Sequence, residues 1–178
     1  MARVLVPLAQ GCEELEAVTI IDLLRRGEVD VVTAGLDGNP VRASRGTVLV
    51  PDTTLEEVQD RDFDMIVLPG GMPGMENLKG DGRLRSMLEK ADSDGRYIAA
   101  ICASPVVLAE AGILKGKRAV CYPGFDLPGA EISDDPVVRD GKVITSRGPG
   151  TAMDFSLELL EILAGRSKRD QVEAALQR

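Results

Sequence analysis

The sequence predicts a doubly wound α/β sandwich, in which a mostly parallel sheet is covered by helices on both faces. Short apolar runs alternate along the chain with segments whose apolar residues recur at helical spacing, the pattern of repeated strand and helix units. The run "FDMIVLPGG" at 63–71 is apolar apart from Asp64 and is broken by glycines, as expected of a central strand buried on both faces. The length of 178 residues and the hydrophobic content of 44% favour one domain spanning residues 1–178.

The first half of the chain contains the clearest helix. Leu15, Val18, Ile21 and Leu24 follow helical spacing, and the segment closes with two arginines and a glycine, which are typical of a helix end. The predicted elements are strand 3–9, helix 14–27, strand 29–35, a hairpin-like excursion over 39–53, strand 63–71 and helix 81–92.

The second half continues the same alternation. Its predicted elements are strand 96–102, helix 104–112, strands 117–123 and 142–150, helix 151–165 and a short amphipathic helix after Gly165. The longest irregular stretch runs from Gly124 to Pro136.

Composition excludes several classes of partner. The chain has 21 basic and 29 acidic residues, a net charge of -8, and a pI near 4.7. Such a surface repels a phosphate backbone or an anionic membrane, so we expect no nucleic-acid and no membrane partner. No stretch approaches the roughly 20 apolar residues that a membrane span needs, and we expect a cytoplasmic protein.

The chain contains no histidine and only three cysteines, Cys12, Cys102 and Cys121. Their number and spacing indicate neither a disulfide framework nor a zinc site, and no nucleotide-binding glycine motif is present. We therefore predict free thiols, no metal and no cofactor. Without histidine, a single chain cannot form a Ser-His-Asp or Cys-His arrangement, so a carboxylate, lysine, tyrosine or thiol must move any proton.

Cys102 ends a predicted strand and directly precedes a predicted helix. This is the arrangement of a nucleophile elbow, with Ser104 expected to cap the helix and Pro105 to occupy its first turn. The helix start would lower the pKa of the thiol and raise its reactivity. A buried packing cysteine is the alternative, and the pattern alone leaves both open. Cys12 and Cys121 are interpreted as packing residues.

Two other turns follow predicted strands, where ligands of open α/β sheets gather. Glu13, Glu14 and Glu16 start the first helix, either because acidic residues suit a helix start or because one faces Cys102 and holds a proton there. In "LPGGMPG", Gly71 can aim its N–H group at an oxyanion, although a tight turn needs the same residues.

These stretches together resemble the ThiJ/PfpI family, near its parkinsonism-linked DJ-type proteins and their bacterial relatives. The resemblance covers about residues 3–165 and is carried by "GCEELEAVTIIDLLRR", "AGL", "FDMIVLPGGMPGMENL", "AAICASP" and "ITSRGPGTAMDFSLELLE". It implies a flavodoxin-like sandwich that forms a homodimer. It also implies that Cys102 is the reactive cysteine, that Glu16 is its partner carboxyl, and that the backbones of Gly71 and Ala103 are oxyanion donors.

The resemblance implies several activities. The first is cofactor-independent conversion of a small reactive aldehyde, a 2-oxoaldehyde, to a 2-hydroxy acid, together with protein deglycation. The alternative is a redox sensor or chaperone whose Cys102 is oxidised by peroxide to the sulfinate. One departure stands out: Tyr122 occupies the position of a histidine in many relatives, which argues against a cysteine protease. Tyr122 and Gly70 are taken as accessory residues.

Overall fold

A computed structural model describes all residues, 1–178. Its strands are β1 (Arg3–Leu8), β2 (Asp30–Gly35), β3 (Val41–Arg42), β4 (Val48–Leu49), β5 (Thr53–Thr54), β6 (Met65–Leu68), β7 (Tyr97–Ile101), β8 (Arg118–Ala119), β9 (Glu131–Ile132), β10 (Val137–Asp140) and β11 (Val143–Ser146). Its helices are α1 (Glu14–Arg26), α2 (Leu55–Val58), α3 (Gly74–Lys79), α4 (Gly82–Ser93), α5 (Pro105–Glu110), α6 (Ala152–Ala164) and α7 (Arg166–Ala175), with a 3₁₀ turn at Pro149–Thr151.

Seven strands form the central sheet in the order β10-β11-β7-β6-β1-β2-β5. All neighbouring strands are parallel except β10, which pairs antiparallel with β11. The strand order reverses at β1, and the inner strands β2-β1-β6-β7-β11 follow the flavodoxin-like pattern. The predicted doubly wound α/β class is confirmed.

The core consists of two apolar layers, one on each face of the sheet. Along β1, Val4 and Val6 belong to the layer covered by α1, α6 and α7, whereas Leu5 belongs to the layer covered by α2 to α5. Successive strand residues point to opposite faces, so both layers draw side chains from the same strand. The four residues of β6 are all buried, which accounts for the apolar stretch Met65–Leu68 within the run at 63–71.

The long helices agree with the sequence pattern, and their starts show why. Glu13 caps α1 by accepting a hydrogen bond from the Leu15 backbone N–H at 3.3 Å. The Asp81 side chain caps α4 in the same way, accepting from the Arg83 and Leu84 backbone N–H groups. None of the helices has both the length and the apolar character to cross a membrane.

The predicted strand at 117–123 is largely wrong. Only β8 is extended there, and it pairs with β9 in a separate two-stranded sheet. The Val120 N–H donates to the Thr145 hydroxyl at 3.0 Å, and the Tyr122 N–H donates to the Cys102 carbonyl at 2.7 Å. Because these groups bond to a side chain and to the elbow, no strand ladder continues.

Several short elements were not predicted. The excursion at 39–53 does contain the β3–β4 hairpin, but the edge strand β5 follows it and pairs with β2. Strand β10, helices α2 and α3, and β9 within the stretch 124–136 were also missed. Elements of two to six residues are too short to display a periodicity.

Candidate active site

Cys102 lies at the carboxyl edge of the sheet, immediately after β7. Its φ of 65° is in the left-handed region, which is unfavourable for a residue with a Cβ atom. Its N–H donates to the Ser146 carbonyl at 2.9 Å, and its carbonyl accepts the bond from Tyr122. Backbone on both sides therefore holds the strained turn, and the predicted elbow is present.

Ser104 does not cap the helix that follows the elbow. No side-chain cap bond is found at the start of α5. Instead the buried Ser104 hydroxyl donates to the Pro69 carbonyl at 2.5 Å. The turn after β7 is thereby attached to the turn after β6, and the expectation of a serine cap is wrong.

Glu16 is the carboxylate that faces this edge of the sheet. It is fully buried in the first turn of α1, and its Oε2 accepts a hydrogen bond from the Gly70 N–H at 2.8 Å. Its Oε1 is buried without a hydrogen-bond partner. A buried oxygen without a donor is unusual, and it is the carboxyl oxygen on which a proton can reside or to which one can be transferred.

Glu13 and Glu14 have a different role. Both accept hydrogen bonds from the Ser44 hydroxyl, at 3.1 and 3.2 Å, and Glu14 also accepts from the Arg45 and Thr47 backbone N–H groups. These two carboxylates fix the loop before β4. The structure thereby separates Glu16 from its two acidic neighbours, which the sequence pattern alone did not.

Gly70 allows the cysteine and the carboxylate to approach each other. A Cβ atom at Gly70 would lie 2.6 Å from the Cys102 Cβ and 2.8 Å from the Glu16 Oε2, distances that no side chain tolerates. Gly71 has a φ of 94°, and a Cβ there would overlap the Glu13 backbone nitrogen. Glycine is therefore required at both positions, because the neighbouring atoms leave no room for a Cβ atom.

Burial dominates the acidity of the pair. It raises the pKa of Glu16 to about 7, and the Gly70 N–H opposes that rise. Burial, followed by the Glu16 carboxylate, raises the pKa of Cys102 to about 12, although hydrogen bonds from the Gly71 and Ala103 N–H groups lower it. The expectation that the helix start lowers the thiol pKa is wrong, because burial and a neighbouring negative charge outweigh the donors.

With these pKa values the Cys102 thiol keeps its proton near neutral pH, while the Glu16 carboxyl gains or loses its own proton there. Repulsion between Glu16 and the sulfur disappears when the carboxyl carries that proton. The Gly71 and Ala103 N–H groups then favour the thiolate.

The remaining thiols lie in different surroundings. Burial raises the pKa of Cys12 to about 12, and the side chain packs in the layer with α1 and α6. Cys121 is half-buried and donates to the Phe125 carbonyl at 3.5 Å, and burial also raises its pKa. The packing interpretation of both residues is consistent with these contacts.

Tyr122 lies beside the elbow. Its backbone bonds to Cys102, and its ring covers Gly148, where an added Cβ would lie 3.2 Å from the ring. The side chain is 46% exposed, so the phenol borders solvent.

Sequence reasoning missed the support behind the elbow. Ser146, which accepts the Cys102 N–H, shares a 2.6 Å hydroxyl contact with Thr151, and Thr151 in turn bonds to the Gly148 backbone. The motif "TSRGPGT" contains these residues, but only the family resemblance marked it.

Fold and site together define a flavodoxin-like protein with a buried cysteine–glutamate pair at an elbow. Residues 2–162 match the model of the DJ-1/PfpI family. The chain therefore belongs to the DJ-1/PfpI family, which confirms the resemblance drawn from the motifs.

Relatives agree with this assignment. DJ-1 homolog B of Arabidopsis thaliana is 45% identical over 98% of this chain, which spans only 41% of that longer protein. A Caenorhabditis elegans protein named glutathione-independent glyoxalase DJR-1.2 is 37% identical over 96% of this chain and 92% of its own length. The crystal structure of Drosophila melanogaster DJ-1beta superposes with a TM-score of 0.96 at 42% identity, covering 99% of this chain and 97% of that one.

Proposed function

We propose that the protein is a glutathione-independent glyoxalase that converts a 2-oxoaldehyde to a 2-hydroxy acid with its own side chains. The observation that carries this proposal is the convergence of the buried Glu16 carboxyl and Cys102 on Gly70, where an added Cβ atom would lie 2.8 Å from the Glu16 Oε2 and 2.6 Å from the Cys102 Cβ. A thiol beside a proton acceptor is the minimum that this chemistry needs. The name of the Caenorhabditis elegans relative supports the substrate class.

In the first step the Cys102 sulfur adds to the aldehyde carbon as its proton moves to Glu16. The C–S bond forms, the carbonyl π pair moves to oxygen, and the resulting oxyanion accepts hydrogen bonds from the Gly71 and Ala103 N–H groups. Glu16 then protonates this oxygen. The product is a neutral hemithioacetal, and Glu16 is a carboxylate again.

In the second step Glu16 isomerises the adduct. The carboxylate removes the proton from C1, which gives an enediolate, and the proton of the C1 hydroxyl passes to the C2 oxygen. Glu16 then returns its proton to C2 as the C1 oxygen re-forms a carbonyl, which leaves a thioester of the 2-hydroxy acid. Water hydrolyses this thioester, releasing the acid and restoring the thiol.

The decisive experiment is incubation with methylglyoxal while lactate is counted against protein. We expect many lactates per chain. Cys102→Ser should produce none, whereas Cys12→Ser, the matched change at another buried thiol, should retain activity. Production of at most one lactate per chain would contradict an enzyme.

A redox sensor is the second candidate, favoured by the unpartnered Glu16 Oε1. A protonated Glu16 can donate a hydrogen bond to a sulfinate oxygen on Cys102. Mild peroxide should then add two oxygens to Cys102 before it modifies the other thiols, as peptide mass spectrometry can show. Such a protein changes once per chain and does not turn over aldehyde.

We also propose a homodimer, as the family resemblance implies. Exposed apolar side chains on α1 and near β4 support it: Leu15, Val18, Val48 and Val50. Val18 and Val50 line one groove between these elements. Light scattering should give twice the 19.0 kDa chain mass, and Val50→Asp, at an 80% exposed position, should shift the mass to one chain without unfolding it.

A further inference from the structure

Ser104 connects two turns of the candidate site. It is fully buried, and its hydroxyl donates to the Pro69 carbonyl across 35 residues of sequence. It lies two residues after Cys102, while Pro69 directly precedes Gly70 and Gly71. The bond therefore joins the turn that holds the sulfur to the turn that supplies its backbone partners.

The 69–71 turn is also held from its other side. The Gly70 carbonyl accepts the Glu13 N–H at 2.8 Å, and the Gly70 N–H donates to Glu16 at 2.8 Å. Both of those bonds lead to α1, whereas the Ser104 bond leads to the elbow. The turn is thus held by hydrogen bonds to α1 on one side and to the elbow on the other, and the Ser104 hydroxyl supplies the side-chain hydrogen bond on the elbow side.

We propose that Ser104 is a positioning residue, whose hydroxyl keeps the 69–71 turn against the elbow so that the Gly70 and Gly71 N–H groups stay aimed at Glu16 and Cys102. The use of this geometry in aldehyde turnover rests on the proposed function. The effect on the cysteine–glutamate pair does not.

The physical reason is the steep dependence of hydrogen bonds on geometry. Without the hydroxyl, the buried Pro69 carbonyl has lost its donor, and the turn gains by moving to find another. Weaker N–H bonds to the carboxylate and to the sulfur favour the protonated form of both groups. The thiolate then forms at higher pH.

The test is the rate of Cys102 alkylation by iodoacetamide as a function of pH in Ser104→Ala. We expect alkylation at pH 7 to be about threefold to tenfold slower, the effect of roughly one hydrogen bond, with the midpoint moved upward. Ser156→Ala is the matched control, because Ser156 is equally buried and its hydroxyl donates to the Ala152 carbonyl at 2.7 Å, inside α6. It should lose stability but keep the wild-type alkylation profile.

A wild-type alkylation profile in Ser104→Ala would overturn the proposal, as would an equal shift in Ser156→Ala. If Ser104→Ala does not fold, Ser104→Thr and Ser104→Val are compared instead. Their side chains have nearly the same shape, but only that of Thr has a hydroxyl. Thr should keep the profile and Val should shift it. Because alkylation needs no aldehyde, a protein that fails to convert methylglyoxal but shows the shift would reject the proposed function and retain the role of Ser104.

Discussion

Cys12 and Cys102 are alike in burial and differ in their immediate neighbours. Cys12 lies in the turn after β1 and is 1% exposed, and Cys102 follows β7 and is 8% exposed. Burial raises the pKa of each thiol to about 12. Of the two thiols, Cys102 alone lies beside the Gly71 and Ala103 N–H groups and a carboxyl that can take a proton. The pKa of Cys12 is raised further by the charges of Glu14 and its neighbours. We therefore expect the partners of each sulfur, and not its burial, to distinguish the reactivity of these two thiols.

The largest expected effect comes from deleting each sulfur in turn. Cys102→Ser should abolish methylglyoxal turnover, because a hydroxyl with a far higher pKa cannot transfer its proton to Glu16. Cys12→Ser should retain turnover, since no step uses that sulfur. Lactate assays on both variants, with circular dichroism to check folding, measure the contrast. Equal losses would mean that the two turns act only as structure.

Glu16→Gln should produce the next largest effect. The amide can still accept from Gly70 but cannot carry a proton between carbons, so turnover should fall about 10²- to 10⁴-fold. Cys102 should remain open to alkylation. Glu14→Gln is the control, because Glu14 binds the 44–47 loop. A loss below about tenfold in Glu16→Gln would assign the proton transfer to another group, with Tyr122 the first to examine.

The pH dependence of stability gives a smaller effect with a definite sign. Burial raises the pKa of Glu16 from 4.5 to about 7, so the folded state binds the proton more tightly than the unfolded state. The contribution of Glu16 to the free energy of unfolding is fully present below pH 4.5 and is lost as the pH rises to about 7. This loss amounts to about 3 kcal/mol.

Urea unfolding at pH 5 and pH 8 measures this loss. Glu16→Gln stays neutral, so its free energy of unfolding should fall less between the two pH values than that of the wild type. The other carboxylates contribute equally to both proteins and cancel in the difference. An identical pH dependence would show that Glu16 titrates at its ordinary value when folded.

Much of the fold, and Cys102 of the cysteine–glutamate pair, could be predicted from the local sequence pattern. The elbow at Cys102 followed from an apolar run that ends at once in a helix start. Glu16 could not be chosen among three glutamates by pattern, because its partner Gly70 lies 54 residues away. The same reason hid the role of Ser104, which looks like a helix cap in sequence but bonds to Pro69.

The direction of the Cys102 pKa shift was predicted wrongly for a related reason. A helix start is visible in sequence and lowers a thiol pKa, whereas the burial of Cys102 and the carboxylate beside it arise only when three turns meet. The short edge strand β10 was not predicted, because its pairing with β11 determines it more than its own four residues do.

The smallest expected effect is the order in which the three thiols react, and it tests the opening contrast most directly. Accessibility alone would favour Cys121, which is half-buried, over Cys102 and Cys12, which are buried. The partners of the sulfur favour Cys102, because the Gly71 and Ala103 N–H groups stabilise the thiolate there and a protonated Glu16 does not repel it. We expect alkylation at pH 7 to label Cys102 about tenfold faster than Cys121, and Cys12 slowest, as followed by peptide mass spectrometry. In Glu16→Gln the margin over Cys121 should grow, because the neutral amide lacks the carboxylate charge that raises the Cys102 pKa, while the rate at Cys121 stays unchanged. Preferential labelling of Cys121 in the wild type would mean that exposure, and not the local donors and acceptor, sets thiol reactivity in this protein.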